Sequence, residues 1–340
     1  MLSRAADSLY WLSRYIERAE NVARFIDVNL HLMLDLPAGA TEQWEPLVIT
    51  TGDEGLFAER YRAATRENVV QFLTFDRENP NSIFSCLRAA RENARSVREI
   101  ISSSMWEQVN IFYLMVRDLA TTTRVREAPY EVFQDIRMAS HLFEGLTNAT
   151  MSHGEGWHFC RMGRLLERAD KTSRMVDVKY FLLLPSIADV GTPFDDIQWA
   201  AVLRSTSALE MYRKRYQDLS PDRIAEFLLL DREFPRSLHY CLIKADESLH
   251  AVSGTPIGTF CNPAEQHLGQ LRAELAYAQV KAIIGAGLHE FLDAFQTKLN
   301  LVGDSIFTTF FALQPIGRAV TVNMQSQSQG GNGGKGQKQY

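Results

Sequence analysis

The chain contains two versions of one pattern, and a repeat of that length restricts it to folds built from two similar units. Tyr15-Ile16-Glu17-Arg18-Ala19-Glu20, followed by Arg24 and Asp27-Val28, returns 150 positions later as Leu165-Leu166-Glu167-Arg168-Ala169-Asp170, followed by Arg174 and Asp177-Val178. A second block, Phe72-Leu73, Asp76-Arg77-Glu78, Pro80, Ser82 and Cys86-Leu87, returns at an offset of 155 as Phe227-Leu228, Asp231-Arg232-Glu233, Pro235, Ser237 and Cys241-Leu242. Charged residues that keep their order in both copies are the first candidates for function.

Within each copy, apolar residues recur at three- and four-residue spacing, and sustained period-two alternation is absent, which predicts an all-α fold. The expected architecture is an internally duplicated helical bundle with pseudo-twofold symmetry, its first repeat over 1–150 and its second over 151–315. If residues 3–34 form one helix, Leu9, Leu12, Ile16, Ala19, Ala23, Ile26 and Leu30 share a side that faces the core. A loop is expected at Pro37-Ala38-Gly39, a helix around Trp44, another ending near Phe75, and a long one from Pro80 to about Ile101. Ser104 is expected to cap a helix over 105–120, with Pro129 opening the next. In the second copy a long helix runs from Trp157 to Leu184 and a loop passes through Pro185 and Pro193, with Trp199 at the place of Trp44. Gly254 to Pro263 interrupts, and two more helices lead to about Leu313.

Composition narrows the class. With 340 residues and 46% hydrophobic content the chain can bury a large core, and a net charge of -5 argues against nucleic acid as the main partner. No apolar run reaches the roughly 18–20 residues needed to span a bilayer. Asp7, Glu17, Glu20 and Asp27 speak against a signal peptide. The four cysteines, Cys86, Cys160, Cys241 and Cys261, form no close pair and read as reduced side chains of a cytoplasmic protein. Residues 325–340 are rich in Gln, Ser, Gly, Asn and Lys, a composition expected to be disordered. Gly331, Gly333 and Gly336 match a dinucleotide-binding spacing there, but no strand precedes them and no helix follows.

On the first helix Arg14, Glu17, Arg18, Asn21 and Arg24 fall within a sector of about 120 degrees opposite the apolar side, together with Tyr10, Trp11 and Phe25. Their counterparts are Arg164, Glu167, Arg168, Lys171 and Arg174. A solvated helix face is one reading. The repeated order of charges and the interleaved aromatics favour a buried or cleft-lining network, which either joins the two halves or binds an anion, since a guanidinium fork clamps a carboxylate or phosphate in two-point fashion. In the Asp-Arg-Glu turns the acidic residues suit a helix start, while Arg77 and Arg232, aided by Ser82 and Ser237, are candidate anion hooks.

No metal or cofactor site follows from the residues. Glu247 and His250 have the spacing of a dimetal bundle motif, but the first half has Arg95 in place of His250; Glu155 and His158 have no counterpart at all. The run Ser102-Ser103-Ser104 lacks a nucleophile elbow and reads as a cap.

Leu9-Tyr10-Trp11-Leu12-Ser13-Arg14-Tyr15-Ile16-Glu17-Arg18-Ala19-Glu20-Asn21, the second Leu166-Glu167-Arg168-Ala169-Asp170, the Asp-Arg-Glu-x-Pro-x-Ser turns and Ser104-Met105-Trp106 with Asn110 resemble the alpha-E family, a bacterial helical domain named for its Glu-Arg motif. The resemblance covers about residues 1–315. It implies association with circularly permuted ATP-grasp ligases, transglutaminase-like peptidases and proteasome-like hydrolases, in systems that resemble peptide modification or amide ligation. The expected function is a helical accessory component that holds a ligase partner or an anionic substrate through the paired Glu-Arg helices. Two alternatives stand beside it: an aminoacyl or peptidyl transferase with Glu17 or Glu167 as general base, and a purely structural scaffold.

Overall fold

The computed structural model describes residues 1–34, 43–182 and 193–312, and every regular element among them is helical. The first half comprises α1 (Ser3–Leu34), α2 (Glu45–Thr51), α3 (Glu54–Arg60), α4 (Arg66–Thr74), α5 (Ile83–Ser96), α6 (Ser103–Leu119), α7 (Arg124–Glu127) and α8 (Pro129–Thr150). The second comprises α9 (Glu155–Leu182), α10 (Pro193–Ser205), α11 (Leu209–Arg215), α12 (Pro221–Leu230), α13 (Leu238–Ser253), α14 (Pro263–Tyr277), α15 (Val280–Ala286) and α16 (Leu288–Ile306), which runs into a π-helical turn, Phe307–Phe311.

The long helices α1 and α9 lie against each other at the centre and run in the same direction, because early residues of one meet early residues of the other. Gly163 makes the closest approach: a Cβ there would fall 2.3 Å from the Tyr10 carbonyl oxygen. Around this pair the same neighbours recur. Helix α5 packs on α1 and α13 on α9; α8 packs on α1 and α16 on α9; α6 bridges α5 and α8 as α14 bridges α13 and α16. One continuous apolar core results, in which Leu9, Leu12, Ile26, Phe72, Phe112, Leu228, Leu249 and Leu292 are fully enclosed.

The turns before α5 and α13 show why the second repeated block is kept. Ser82 caps α5 by accepting from the Ser85 amide, and Ser237 caps α13 by accepting from the Tyr240 amide. Each serine hydroxyl also donates back to the carbonyl of the turn's aspartate, Asp76 or Asp231. The cysteine thiols face the carbonyls of Pro80 (3.7 Å) and Pro235 (3.5 Å).

Several boundaries differ from the sequence expectation. Helix α5 starts at Ile83 rather than Pro80, because the Ser82 cap sets its first turn. Ser102, not Ser104, caps α6, by accepting from the Met105 amide. Helix α9 begins at Glu155, two residues before Trp157. Three helices, not two, follow the interruption at Gly254, because α14 and α16 are separated by α15. The expected loops at Pro37-Ala38-Gly39 and Pro185 and the tail 325–340 lie outside the described residues. No described helix is long and apolar enough to cross a membrane.

Candidate functional site, the Glu-Arg network

A helix that is apolar on one side and charged on the other normally turns its charges to water. Helix α1 does not, because α9 covers that sector: Glu17 is 3% exposed, Asn21 0% and Arg24 1%. Burial of ionised groups costs several kcal/mol each unless they are paired, and the pairing is complete on the carboxylate side.

The pairs are reciprocal. Arg18 donates from Nε (2.6 Å) and Nη2 (2.9 Å) to the two carboxylate oxygens of Glu167, and Arg168 donates from Nε and Nη2 (both 2.8 Å) to those of Glu17. Each is a two-point clamp between a guanidinium fork and a carboxylate. Arg14 adds a bond to Glu167 (2.9 Å), and its guanidinium also lies 4.9 Å from the Trp11 ring. Glu20 holds Arg24, and Asp170 holds Arg174 (3.1 Å) and Lys171 (3.1 Å). Arg164 pairs with Glu144 of α8 (3.0 Å), which also reaches Arg168 (3.3 Å).

Electrostatics follow from this geometry. Burial pushes the Glu17 carboxyl up, but Arg168 and Arg236 more than reverse it and hold it below the ordinary range. Glu20, Glu167 and Asp170 are held down in the same way, against burial, by Arg236 and Arg24, by Arg18 and Arg14, and by Lys171 and Arg174. Burial lowers Arg24 to about 10, which leaves it a cation at neutral pH. Arg14, Arg18 and Arg168 are raised despite burial, chiefly by the coulombic pull of Tyr10 and Glu167 on Arg14, of Glu167 on Arg18 and of Glu17 on Arg168.

One principal member escaped the sequence reading. Arg236, 6% exposed, donates to Glu17 (3.2 Å), Asn21 (3.1 Å) and Glu20 (2.9 Å). Its counterpart in the first turn is Asn81, which accepts from Arg18 (2.7 Å) and donates to Asp53 (2.8 Å). A signal for it was present: Asn21 corresponds to Lys171 and Asn81 to Arg236, so at these helix and turn positions the first copy carries two amides where the second carries two cations. Glu144 gave no signal, as it lies outside both repeated blocks.

The structure separates the remaining candidates from this network. Arg77 and Arg232 are exposed; Arg77 lies 5.2 Å from the Phe84 ring and Arg232 donates to the Ala276 carbonyl at 3.3 Å. The buried anchors of those turns are the aspartates. Asp76 accepts from Arg60 (3.0 Å), Tyr61 (2.9 Å) and the Glu78 amide (3.0 Å), and Asp231 accepts from Arg215 and from the Glu233 (2.8 Å) and Phe234 (2.6 Å) amides. His250 faces Asp246 at 3.5 Å, while Glu247 turns to Lys244 (2.7 Å). Among the described residues no group of three His, Cys, Asp or Glu is placed to hold a metal ion.

Chemically, the buried carboxylates are ionised, clamped at both oxygens and enclosed, a state suited to holding helices together and poorly suited to taking a proton at neutral pH. Arg14, Arg18 and Arg164, whose side chains are 16–17% exposed, form the edge of the network that reaches the surface.

A family model described as "a predicted alpha-helical domain with a conserved ER motif", Alpha-E, matches residues 1–311. Uncharacterized proteins of Mycobacterium bovis and Mycobacterium tuberculosis are 22% identical over 337 residues, covering 91% of this chain and 37% of each relative. The chain therefore spans little more than a third of those relatives' length. No solved structure matches.

Proposed function

The chain belongs to the Alpha-E family, and from that premise we propose that it is a helical accessory module of an ATP-grasp-linked system that ligates or modifies peptides, working beside a circularly permuted ATP-grasp ligase rather than catalysing the reaction alone. The observation that carries this reading is the state of the Glu-Arg residues. Glu17 and Glu167, the two candidate bases, are each clamped at both oxygens by a buried arginine. In this reading the motif fixes α1 against α9, and the fixed pair presents its outer groups to a substrate or partner. The longer mycobacterial relatives support it too, since a region that occupies 37% of a chain has other segments to work beside.

Reconstitution tests the proposal. The purified chain, an ATP-grasp ligase from the same genome, ATP, a peptide and an amine donor are combined, with omission of each protein in turn. The expected result is amide product and ADP or AMP formation that require both proteins. Product formed by this chain alone, lost on Glu17→Gln, establishes the transferase reading instead; unaltered ligase turnover without the chain refutes the accessory role.

A further inference from the structure

The two sides of the central helix pair are finished differently. On one side α8 closes the groove: Ser13, Ile16 and Glu17 of α1, Cys160 and Arg164 of α9, and Phe143 and Glu144 of α8 leave a void of only about 10 Å³. Glu144 is the closing carboxylate, in contact with Arg164 and Arg168. On the other side the corresponding positions, Tyr10, Arg14 and Leu166, border a cavity of about 340 Å³ in front of α16. That volume falls in the small-molecule range, roughly 300–1,000 Å³.

Helix α16 supplies no counterpart of Glu144. Among the described residues no ion pair joins α16 to Arg14 or Arg18, and Gly303 is the residue that passes the guanidinium: a Cβ there would lie 4.0 Å from Arg14 Nη1. A glycine inside a helix costs about 1 kcal/mol relative to alanine, and a methyl here would meet the guanidinium only at ordinary contact distance, so what leaves the space open is the absence of a long side chain at this position. Trp11, Leu299, Phe307 and Phe311 supply apolar and aromatic wall, the last two belonging to the π-helical turn, while Asn300 and Asp170, the latter already paired with Lys171 and Arg174, add polar lining. Such turns occur often at functional sites. Asp304 lines the mouth, exposed and outside every ion pair among the described residues.

We propose that this cavity binds a small α-amino acid: its carboxylate docks on Arg14 where Glu144 docks on Arg164, its ammonium faces Asp304, and its side chain lies against Trp11, Phe307 and Phe311. Arg14 already holds Glu167 from Nε and Nη2, so the ligand carboxylate is a second partner received on Nη1, the nitrogen nearest Gly303. The inference goes beyond the accessory role and needs no ligase, so the two fail separately.

The test is titration calorimetry of the full chain with L-phenylalanine, L-phenylalaninamide and 3-phenylpropionate. The expected result is saturable binding of phenylalanine, weaker binding of 3-phenylpropionate, and loss of about tenfold or more in affinity for the amide, which lacks the carboxylate. Gly303→Glu, which supplies an internal carboxylate to Arg14, is expected to abolish binding with the fold retained by circular dichroism, whereas Gly303→Ala retains it. No saturable binding of phenylalanine at millimolar concentration, equal binding of the amide, or binding undiminished in folded Gly303→Glu overturns the proposal.

Discussion

Arg168→Met separates a buried clamp from a decorative surface pair. In the wild type Glu17 receives two bonds from Arg168 at 2.8 Å, one from Arg236 at 3.2 Å and one from Asn21 at 3.1 Å. Methionine preserves much of the aliphatic volume but leaves a carboxylate, 3% exposed, with a single cation that Glu20 already shares. Removing one partner of a buried pair costs about 3–5 kcal/mol, because the desolvated charge that remains is uncompensated. Unfolding entropy of about 2.1 cal/mol/K per residue, taken over 340 residues, converts each kcal/mol into about 1.4 °C, so Tm should fall by about 4–7 °C. Adding Glu17→Gln to Arg168→Met should cost less than the two single changes together, with a coupling of about 1–3 kcal/mol. Arg77→Met is the control, since Arg77 is exposed, and it should change stability by no more than about 0.5 kcal/mol. Urea and thermal denaturation of the four variants measure these differences. If Arg168→Met tracks Arg77→Met, or if the Glu17 and Arg168 changes simply add, the buried clamp is not what holds the halves together.

Acid should loosen the protein in a defined window. The folded-state carboxyls of Glu17, Glu20, Glu167 and Asp170 all lie below their ordinary values, so the stability they contribute is fully present above about pH 4.5 and is lost as pH falls further. A Tm that stays level from pH 7 down to pH 3 contradicts this. Gly163→Ala should destabilise by about 1–3 kcal/mol in denaturant melts although alanine is the better helix former, because the added methyl meets the Tyr10 carbonyl; a neutral or stabilising result would show that α1 and α9 are not in such close contact. Thiol titration with a disulfide reagent at pH 8 should count one fast group, the exposed Cys261, and four after denaturation. Burial encloses the other three and pushes Cys86 and Cys241 up to about 12 and Cys160 to about 11, so rapid native labelling of more than one thiol counts against the core described above.

The primary sequence by itself determined the all-helical class, the extent of α1 and the presence of two Glu-Arg copies. These are properties of local spacing and of identity at a distance along one string, which need no knowledge of what lies across the chain. Tertiary structure decided what the charges do. Whether Arg18 faces water, an anion or Glu167 depends on α9 lying parallel to α1, and that depends on Gly163 allowing two backbones to touch. The same holds for Arg236, which sits in a turn 215 positions from Asn21 and joins the network only because α13 packs on α9. Arg77 and Arg232, matched in sequence as well as any other pair, are separated from the network by orientation alone: the turn directs its aspartate inward, and the adjoining arginine outward. The difference between a groove closed by Glu144 and one left open by Gly303 was likewise invisible, since it arises from two helices outside the repeated blocks, and a void is a property of packing in three dimensions rather than of any residue.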